Sequence, residues 1–162
     1  MNKSALFSSK KQTWRTPQWL FDCANSEFGP FEFDAAATKS NSLCKKYPKD
    51  AFREAWKAEH VWCNPPYRKI GTWVQRAEDM LDTQWCDRIV FLLPARTDRP
   101  WFLSAWKMAT HAIFVCGRLR FRGADNLAPF PSVLLVCERR FQKDPPTKIR
   151  FLNSKDNPQK GV

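Results

Sequence analysis

The stretch His60-Val61-Trp62-Cys63-Asn64-Pro65-Pro66-Tyr67 decides how the rest of the chain is read. Val61–Cys63 is a short apolar run of the kind that forms a buried strand, and two consecutive prolines end it abruptly. Each proline fixes its own φ near ~−65° and restricts the residue before it, so the Asn64 side chain is held in a narrow range of directions. Pro65 and Pro66 donate no backbone N–H. The turn therefore offers a ligand carbonyl oxygens, the Asn64 amide and the Tyr67 ring, a set that suits a flat group carrying an amino nitrogen. In open α/β sheets ligands bind outside the carboxyl ends of strands, and this turn stands at such an end.

Upstream, Thr16-Pro17 has the form of a helix start, with Thr16 as the capping hydroxyl and Pro17 at the first helical position. Leu20, Phe21, Ala24 and Phe28 follow at helical spacing, and Gly29-Pro30 closes the helix. Phe31-Glu32-Phe33-Asp34 alternates like a strand and delivers Asp34 to its carboxyl end, with the small-residue turn Ala35-Ala36-Ala37-Thr38 behind it. Residues 39–49 are polar and irregular, and Asp50–Trp56 has room for a helical turn carrying Phe52 and Trp56 inward.

Downstream, Ile70, Trp73, Val74, Ala77 and Leu81 recur with a helical period to about Thr83. Ile89–Leu93 is a continuous apolar run ended by Pro94, as for a strand buried on both faces. Asp98 is placed to cap, and Pro100 to open, a helix whose inner side carries Phe102, Ala105, Trp106 and Ala109. Ala112–Cys116 and Val133–Cys137 read as further buried strands. This alternation predicts an α/β, Rossmann-like domain over residues 16–151, with a compact, mostly parallel sheet flanked by helices. Residues 1–15 are expected to be a basic flexible arm, either touching a nucleic-acid backbone or simply frayed, and residues 152–162 a disordered tail.

Bulk properties narrow the function. A chain of 162 residues with 43% hydrophobic and 27% charged residues is one globular domain with a real core. A formal net charge of +11 draws a polyanion, nucleic acid before any other, unless the charge is spread over a merely solvated surface. No run of ~18 apolar residues offers a membrane span, and the N-terminus lacks the apolar core of a secretory signal, so a cytoplasmic protein is expected. The six cysteines form no C-x-x-C pair and only two histidines exist, which points to buried, reduced thiols and to no metal site.

Four segments in this order, Thr16-Pro17, Phe33-Asp34-Ala35-Ala36-Ala37, Asp50-Ala51-Phe52 and Asn64-Pro65-Pro66-Tyr67, resemble the amino-methyltransferases of DNA. The likeness is to small phage- and prophage-encoded N6-adenine methyltransferases (Dam-like) and runs from about Thr16 to Cys137. Its most specific element, Asn-Pro-Pro-Tyr, also marks protein glutamine and some RNA methyltransferases. The resemblance implies transfer of a methyl group from S-adenosylmethionine to N6 of an adenine flipped out of double-stranded DNA, with Asn64, Pro65, Pro66 and Tyr67 as the catalytic set. The chemistry agrees. An exocyclic amine is a poor nucleophile because its lone pair is delocalised into the ring. The Asn64 side-chain oxygen and the Pro65 carbonyl, accepting its two hydrogens, would draw the nitrogen toward tetrahedral geometry while Tyr67 stacks on the base. A sulfonium donor needs no acid to assist its leaving group, so alignment and hydrogen bonding are most of the mechanism.

For the donor, the resemblance implies Asp34, with Phe33 and Ala35 around it, near the amino-acid moiety. It implies Thr16 and Pro17 near the carboxylate end, and Asp50 and Phe52 near the adenine. The chain departs from the family pattern in two ways. Ala35-Ala36-Ala37 replaces a glycine-rich turn and adopts φ > 0 less freely. No Asp or Glu occurs from Ala35 through Lys49, so either Asn41 or Asp50 takes the ribose, and the second strand is missing or reduced.

Basic residues concentrate late. Between Arg96 and Gly123 stand Arg96, Arg99, Lys107, Arg118, Arg120 and Arg122 against Asp98 alone. In an extended Arg118-Leu119-Arg120-Phe121-Arg122 segment the arginines share one face, suited to phosphates and guanine edges or else to solvent. Phe121 or Phe130 is either the second wall around a flipped base or part of the core. With no separate recognition domain, specificity falls to loops such as 96–100 and 117–132. A monomer is the favoured state. The other functions open at this point are methylation of RNA adenine or protein glutamine, and non-catalytic DNA binding on the same fold.

Overall fold

The strand Arg88–Pro94 organises the sheet, because every residue from Ile89 to Pro94 is buried and the side chains divide strictly between two cores. The computed structural model describes residues 14–139 and 148–153. Within these, α1 is Gln18–Phe28, β1 Phe33–Asp34, β2 His60–Cys63, α2 Ile70–Asp82, β3 Arg88–Pro94, α3 Pro100–Met108, β4 Ala109–Cys116, β5 Ser132–Glu138 and β6 Lys148–Asn153. The six strands form one sheet in the order β1-β2-β3-β5-β4-β6. Pairs β1·β2, β2·β3 and β4·β6 are parallel, and β5 alone runs against its neighbours β3 and β4. The sheet is thus mostly parallel, as the alternation of strands and helices predicts.

Alternation along each strand builds three layers. Ile89, Phe91 and Leu93 of β3 and Val133, Leu135 and Cys137 of β5 face α2 and α3. Val90 and Leu92, with Leu134 and Val136, face α1 and the 119–130 loop. Trp62 turns to the α1 side while its neighbours Val61 and Cys63 turn to the other. The parallel pair β2·β3 is joined through α2, as a parallel connection requires.

Several local expectations are corrected. Thr16 does not cap α1: Pro17 is the N-cap, the helix starts at Gln18, and no side chain closes its first turn. Asp98 does not cap α3 either, because Arg99 holds that place and Asp98 is engaged by Arg96 and Arg99. Pro100 does open α3. β4 begins at Ala109, which the helical pattern placed on α3. Phe52 is 42% exposed with its ring 4.8 Å from that of Trp73, whereas Trp56 is fully buried as expected.

The second strand after β1 is reduced to an isolated parallel bridge, Phe33 with Lys46, closed by Asp34 N–H to the Lys46 carbonyl at 2.9 Å. At the other edge β6 pairs with β4 and runs through Asn153, beyond the expected domain end at residue 151. Trp14 and Arg15, assigned to the arm, belong to the folded unit: Trp14 packs on the α1-side core, and Arg122 N–H donates to the Arg15 carbonyl at 2.8 Å. The rest of the arm and of the tail, residues 1–13 and 154–162, lies outside the described residues. None of the six cysteines is in a disulfide; Cys63, Cys86 and Cys137 are buried, but Cys116 is exposed and Cys23 and Cys44 are half-buried. Among the described residues no helix is long and apolar enough to cross a membrane.

Trp56 tests the α2-side core. It is fully buried, and its indole N–H donates to the Ala51 carbonyl at 2.9 Å. Trp56→Ala is expected to lower the unfolding free energy by ~3–5 kcal/mol in urea titrations. A loss below about 1 kcal/mol would show that this side of the sheet is loosely packed.

Candidate active site

Parallel pairing of β1 with β2 sets Asp34 opposite Trp62, so both strands release their next residues on the same edge of the sheet. Ala35 N–H donates to the Trp62 carbonyl at 2.9 Å, which holds the two exits together. Asp34 and Asn64 therefore line one cleft, with Trp14, Arg15, Thr16, Ala36, Ala37, Asn41, Leu43, Trp62, Pro65 and Pro66.

The Asn64 side chain is oriented. Its Nδ2 donates to the Trp14 carbonyl and, at 3.0 Å, to Thr16 Oγ1. Its Oδ1 is buried and has no partner among the described residues. The two acceptors decide which end of the amide is which, a distinction that shape alone does not make. What remains is an acceptor without a donor at the end of β2, beside a proline carbonyl. Such an atom costs about 1–3 kcal/mol until a donor arrives.

Tyr67 follows at the start of a single 3₁₀ turn, Tyr67–Lys69. Its ring is half-buried and meets Phe130 edge-on at 5.3 Å, while its hydroxyl is buried without a partner and burial pushes its pKa well up. Phe121 is 1% exposed and packed against Trp14 and Tyr67 at 5.1 and 6.4 Å, so it backs the aromatic cluster and has no free face for a base. Phe130 is only half-buried.

Asp34 is 5% exposed, and desolvation raises its pKa from 3.8 to about 6 against the lowering effect of N–H groups from Leu43 and Ala36. Leu43 N–H reaches Asp34 Oδ2 at 3.1 Å. The thiols near it are held in their protonated form: burial, then the Asp34 charge, pushes Cys44 to about 12 and Cys63 well above its ordinary value. The alanine turn behind Asp34 is closed by Ala37 N–H on the Asp34 carbonyl at 3.3 Å. None of its residues takes a positive φ, so the turn has no need of glycine.

The other residues proposed for the donor divide. Phe33 and Ala35 point into the α2-side core, and Pro17 is buried as the N-cap of α1. Asn41 lines the cleft, with Oδ1 accepting from Thr38 N–H at 2.6 Å and from the Thr38 hydroxyl at 2.9 Å. Asp50 and Phe52 do not line it. The Asp50 carboxylate closes its own turn on Phe52 N–H at 3.0 Å and pairs with Arg53. The sequence did not assign Trp14, Arg15, Leu43 or Trp62 to the cleft: the surplus of tryptophan is a signal for Trp14 and Trp62, the basic character of residues 1–15 one for Arg15, and nothing marks Leu43. Among the described residues no three His, Cys, Asp or Glu side chains gather as a metal would need.

Beyond the cleft, Gly117 at φ +79° ends β4 and turns the chain into the arginine segment. There Leu119 and Phe121 are buried while Arg118, Arg120 and Arg122 are exposed, the alternation expected of an extended stretch. The Arg15–Arg122 bridge ties this row to the cleft wall. Arg120 also donates to the Asp125 carbonyl. Arg96 grips Asp98 through two bonds of 3.1 and 3.2 Å, and Arg99 approaches the same carboxylate at 3.5 Å.

Fold and site together define an α/β domain that presents an oriented, unpartnered amide oxygen and a buried carboxylate at the carboxyl edge of a mostly parallel sheet. The chain belongs to the DNA N-6-adenine-methyltransferase (Dam) family, whose model matches residues 3–162. It is 29% identical over 109 residues to the DNA N-6-adenine-methyltransferase of Escherichia phage T1, covering 65% of this chain and 45% of that protein. It is 27% identical over 121 residues to that of Haemophilus phage HP1, covering 71% of this chain and 68% of that protein. The chain thus spans less than half of the phage T1 relative. A solved chain from Listeria monocytogenes, described as a class I S-adenosylmethionine-dependent methyltransferase, aligns with a TM-score of 0.44 and 13% identity over 73% of this chain and 44% of that one.

Asp34 gives a pH test. A carboxyl whose folded pKa is about 6 against 3.8 holds its proton better when folded, so folding loses stability as pH rises from about 4 to about 6. The loss approaches about 3 kcal/mol at neutral pH. Asp34→Asn keeps the acceptor for Leu43 N–H and is expected to remove that slope, matching wild type near pH 4 and exceeding it at pH 7. Urea titrations across the range decide; parallel pH curves for the two proteins would show that Asp34 is not strained by burial.

Proposed function

We propose that this chain transfers a methyl group from S-adenosylmethionine to N6 of an adenine flipped out of double-stranded DNA. The observation that carries the reading is the Asn64 amide, whose NH₂ is spent inside the protein while its buried oxygen has no donor. An adenine amine satisfies it. One of its hydrogens goes to Asn64 Oδ1 and the other to the Pro65 carbonyl, the nitrogen pyramidalises, and its lone pair turns toward the methyl group. Tyr67 and Phe130, with Trp14 beside them, supply the faces that hold the extruded base.

The cleft suits the donor as well. Asp34, an anion with little water around it, fits an ammonium group, and pairing with one would return its pKa toward the ordinary range. Asn41 has its Oδ1 occupied by Thr38, so its amide nitrogen is the part free to meet a ribose hydroxyl. With Asp50 turned into its own loop, Asn41 is the better of the two ribose candidates. Thr16 borders the carboxylate end. Once bound, the donor supplies an electrophilic methyl group on a sulfonium.

The +11 charge and the outward Arg118, Arg120 and Arg122 favour a nucleic-acid substrate over a protein glutamine. Arg15 joins that row through its bridge to Arg122. Arg96 and Arg99, drawn together by Asp98, sit on the loop expected to read the duplex. Residues 16–151, extended by the Trp14–Arg15 strip and the end of β6, form the methyltransferase domain in this reading.

Unmethylated DNA incubated with radiolabelled donor and digested to nucleosides is expected to carry the label in N6-methyladenine. Asn64→Ala is expected to abolish transfer while DNA affinity stays within about threefold. Full activity without Asn64 would end this mechanism; label only in RNA or protein would redirect the substrate. Replacing Arg118, Arg120 and Arg122 with alanine should weaken DNA binding and reduce the slope of log affinity against log salt by up to about 2–3. An unchanged slope would leave the row as a solvated face.

A further inference from the structure

We infer that the strip Trp14–Thr16 is the orienting device for Asn64, and that it makes asparagine rather than aspartate the working residue at position 64. The inference rests on the reading of Asn64 as the acceptor for the substrate amine.

The two ends of an asparagine amide are nearly equal in shape, so packing alone lets either face a ligand. A flipped Asn64 would set NH₂ against the incoming amine, donor against donor. The Trp14 carbonyl forbids this, since the flip would press Oδ1 onto another acceptor. Thr16 Oγ1, 3.0 Å from Nδ2, takes the second hydrogen and closes the arrangement.

The strip itself is fixed on every side. Trp14 lies against Phe121 at 5.1 Å and Phe130 at 5.4 Å, Arg15 is held through its carbonyl by Arg122, and Thr16 is 4% exposed ahead of the buried N-cap Pro17. Asn64 is restrained from its own backbone by the prolines that follow it. Both partners are thus set before substrate arrives, and Oδ1 points the one way that leaves it unpartnered.

An aspartate at position 64 meets a different field. One carboxylate oxygen would face the Trp14 carbonyl, and the anion would share the cleft with Asp34. Arg15 lines the same cleft and offers the opposite charge, but it is exposed and, among the described residues, bonded only through its backbone. Carbonyl and carboxylate repel at hydrogen-bond range, and the side chain would turn away from the position the amine needs. Thr16 and the Trp14 carbonyl are positioning groups; the groups that meet the amine are Asn64 Oδ1 and the Pro65 carbonyl.

The test uses the full chain with duplex DNA, measuring kcat at saturating donor and DNA, and binding of each separately. Thr16→Val is expected to lower kcat at saturating donor by about five- to tenfold, with DNA affinity and the melting temperature held, because one hydrogen bond to the amide is lost. Thr16→Ser restores the hydroxyl and should return kcat to within about twofold of wild type. Asn64→Asp should lose at least about a hundredfold. A Thr16→Val enzyme with wild-type kcat, or a serine variant as slow as the valine one, overturns the orienting role. An aspartate variant as active as wild type overturns the preference for asparagine.

A second readout needs no activity. The side-chain ¹⁵N amide signal of Asn64, assigned by its absence in Asn64→Ala, should exchange with water at least about tenfold faster in Thr16→Val. If wild type methylates no DNA, the proposed function fails and this measurement still decides the inference: equal exchange in both proteins overturns it.

Discussion

The hydrogen bonds from the Asn64 amide to the Trp14 carbonyl and the Thr16 hydroxyl are the constraint on which the rest depends. They span 50 and 48 residues of chain, and they exist only because the fold brings an N-terminal strip across the carboxyl edge of the sheet. Several otherwise unrelated features serve that placement. Parallel pairing of β1 with β2 sets Asp34 beside the exit of β2. Helix α1 packs directly behind the strip, and the Arg15–Arg122 bridge fastens its other side to the arginine segment. The same few residues therefore touch both the Asn64 amide and the basic row.

A site of this kind is a local deficit in stability. Asn64 Oδ1, the Tyr67 hydroxyl and Trp62 Nε1 are buried without partners, and Asp34 is pushed toward neutrality by loss of water. Each costs free energy that a packed apolar group would not. The offset lies in the sheet just beneath, where β3 and β5 are buried on both faces over their whole central length. Unpaired acceptors and a desolvated carboxylate are what an incoming amine and a cationic donor would satisfy. The cost of burying these groups and their fitness to meet a ligand are two descriptions of the same atoms.

Economy at the sheet edge also has a chemical consequence. The second strand has shrunk to one bridge at Lys46, and no acid stands along residues 35–49. The carboxylate that would have to hold a ribose from that strand is absent, and Asp50 is occupied with its own turn. Asn41 remains in the cleft, its orientation set by Thr38 much as that of Asn64 is set by Thr16. The alanine turn is equally economical, bending at negative φ and so dispensing with the glycines its position suggested.

What the sequence determined by itself was local in origin. Uninterrupted apolar runs such as Ile89–Leu93 identify strands buried on both faces, because a polar residue there would lack a partner. The prolines of Asn64–Tyr67 and the end position of Asp34 identify the edge of the sheet that carries the candidate site, because they act on adjacent backbone. Strand β6 was not legible: its residues are almost wholly exposed and its pairing with β4 rests on backbone bonds that any sequence supplies. Nor could spacing tell that Phe121 backs the cluster while Phe130 keeps a free face, or that Asp50 turns inward on its own loop. Only the tertiary structure decided which oxygen of the cleft is free, since the groups that orient Asn64 come from a strip some fifty residues away and carry no mark in the chain except a threonine and a tryptophan.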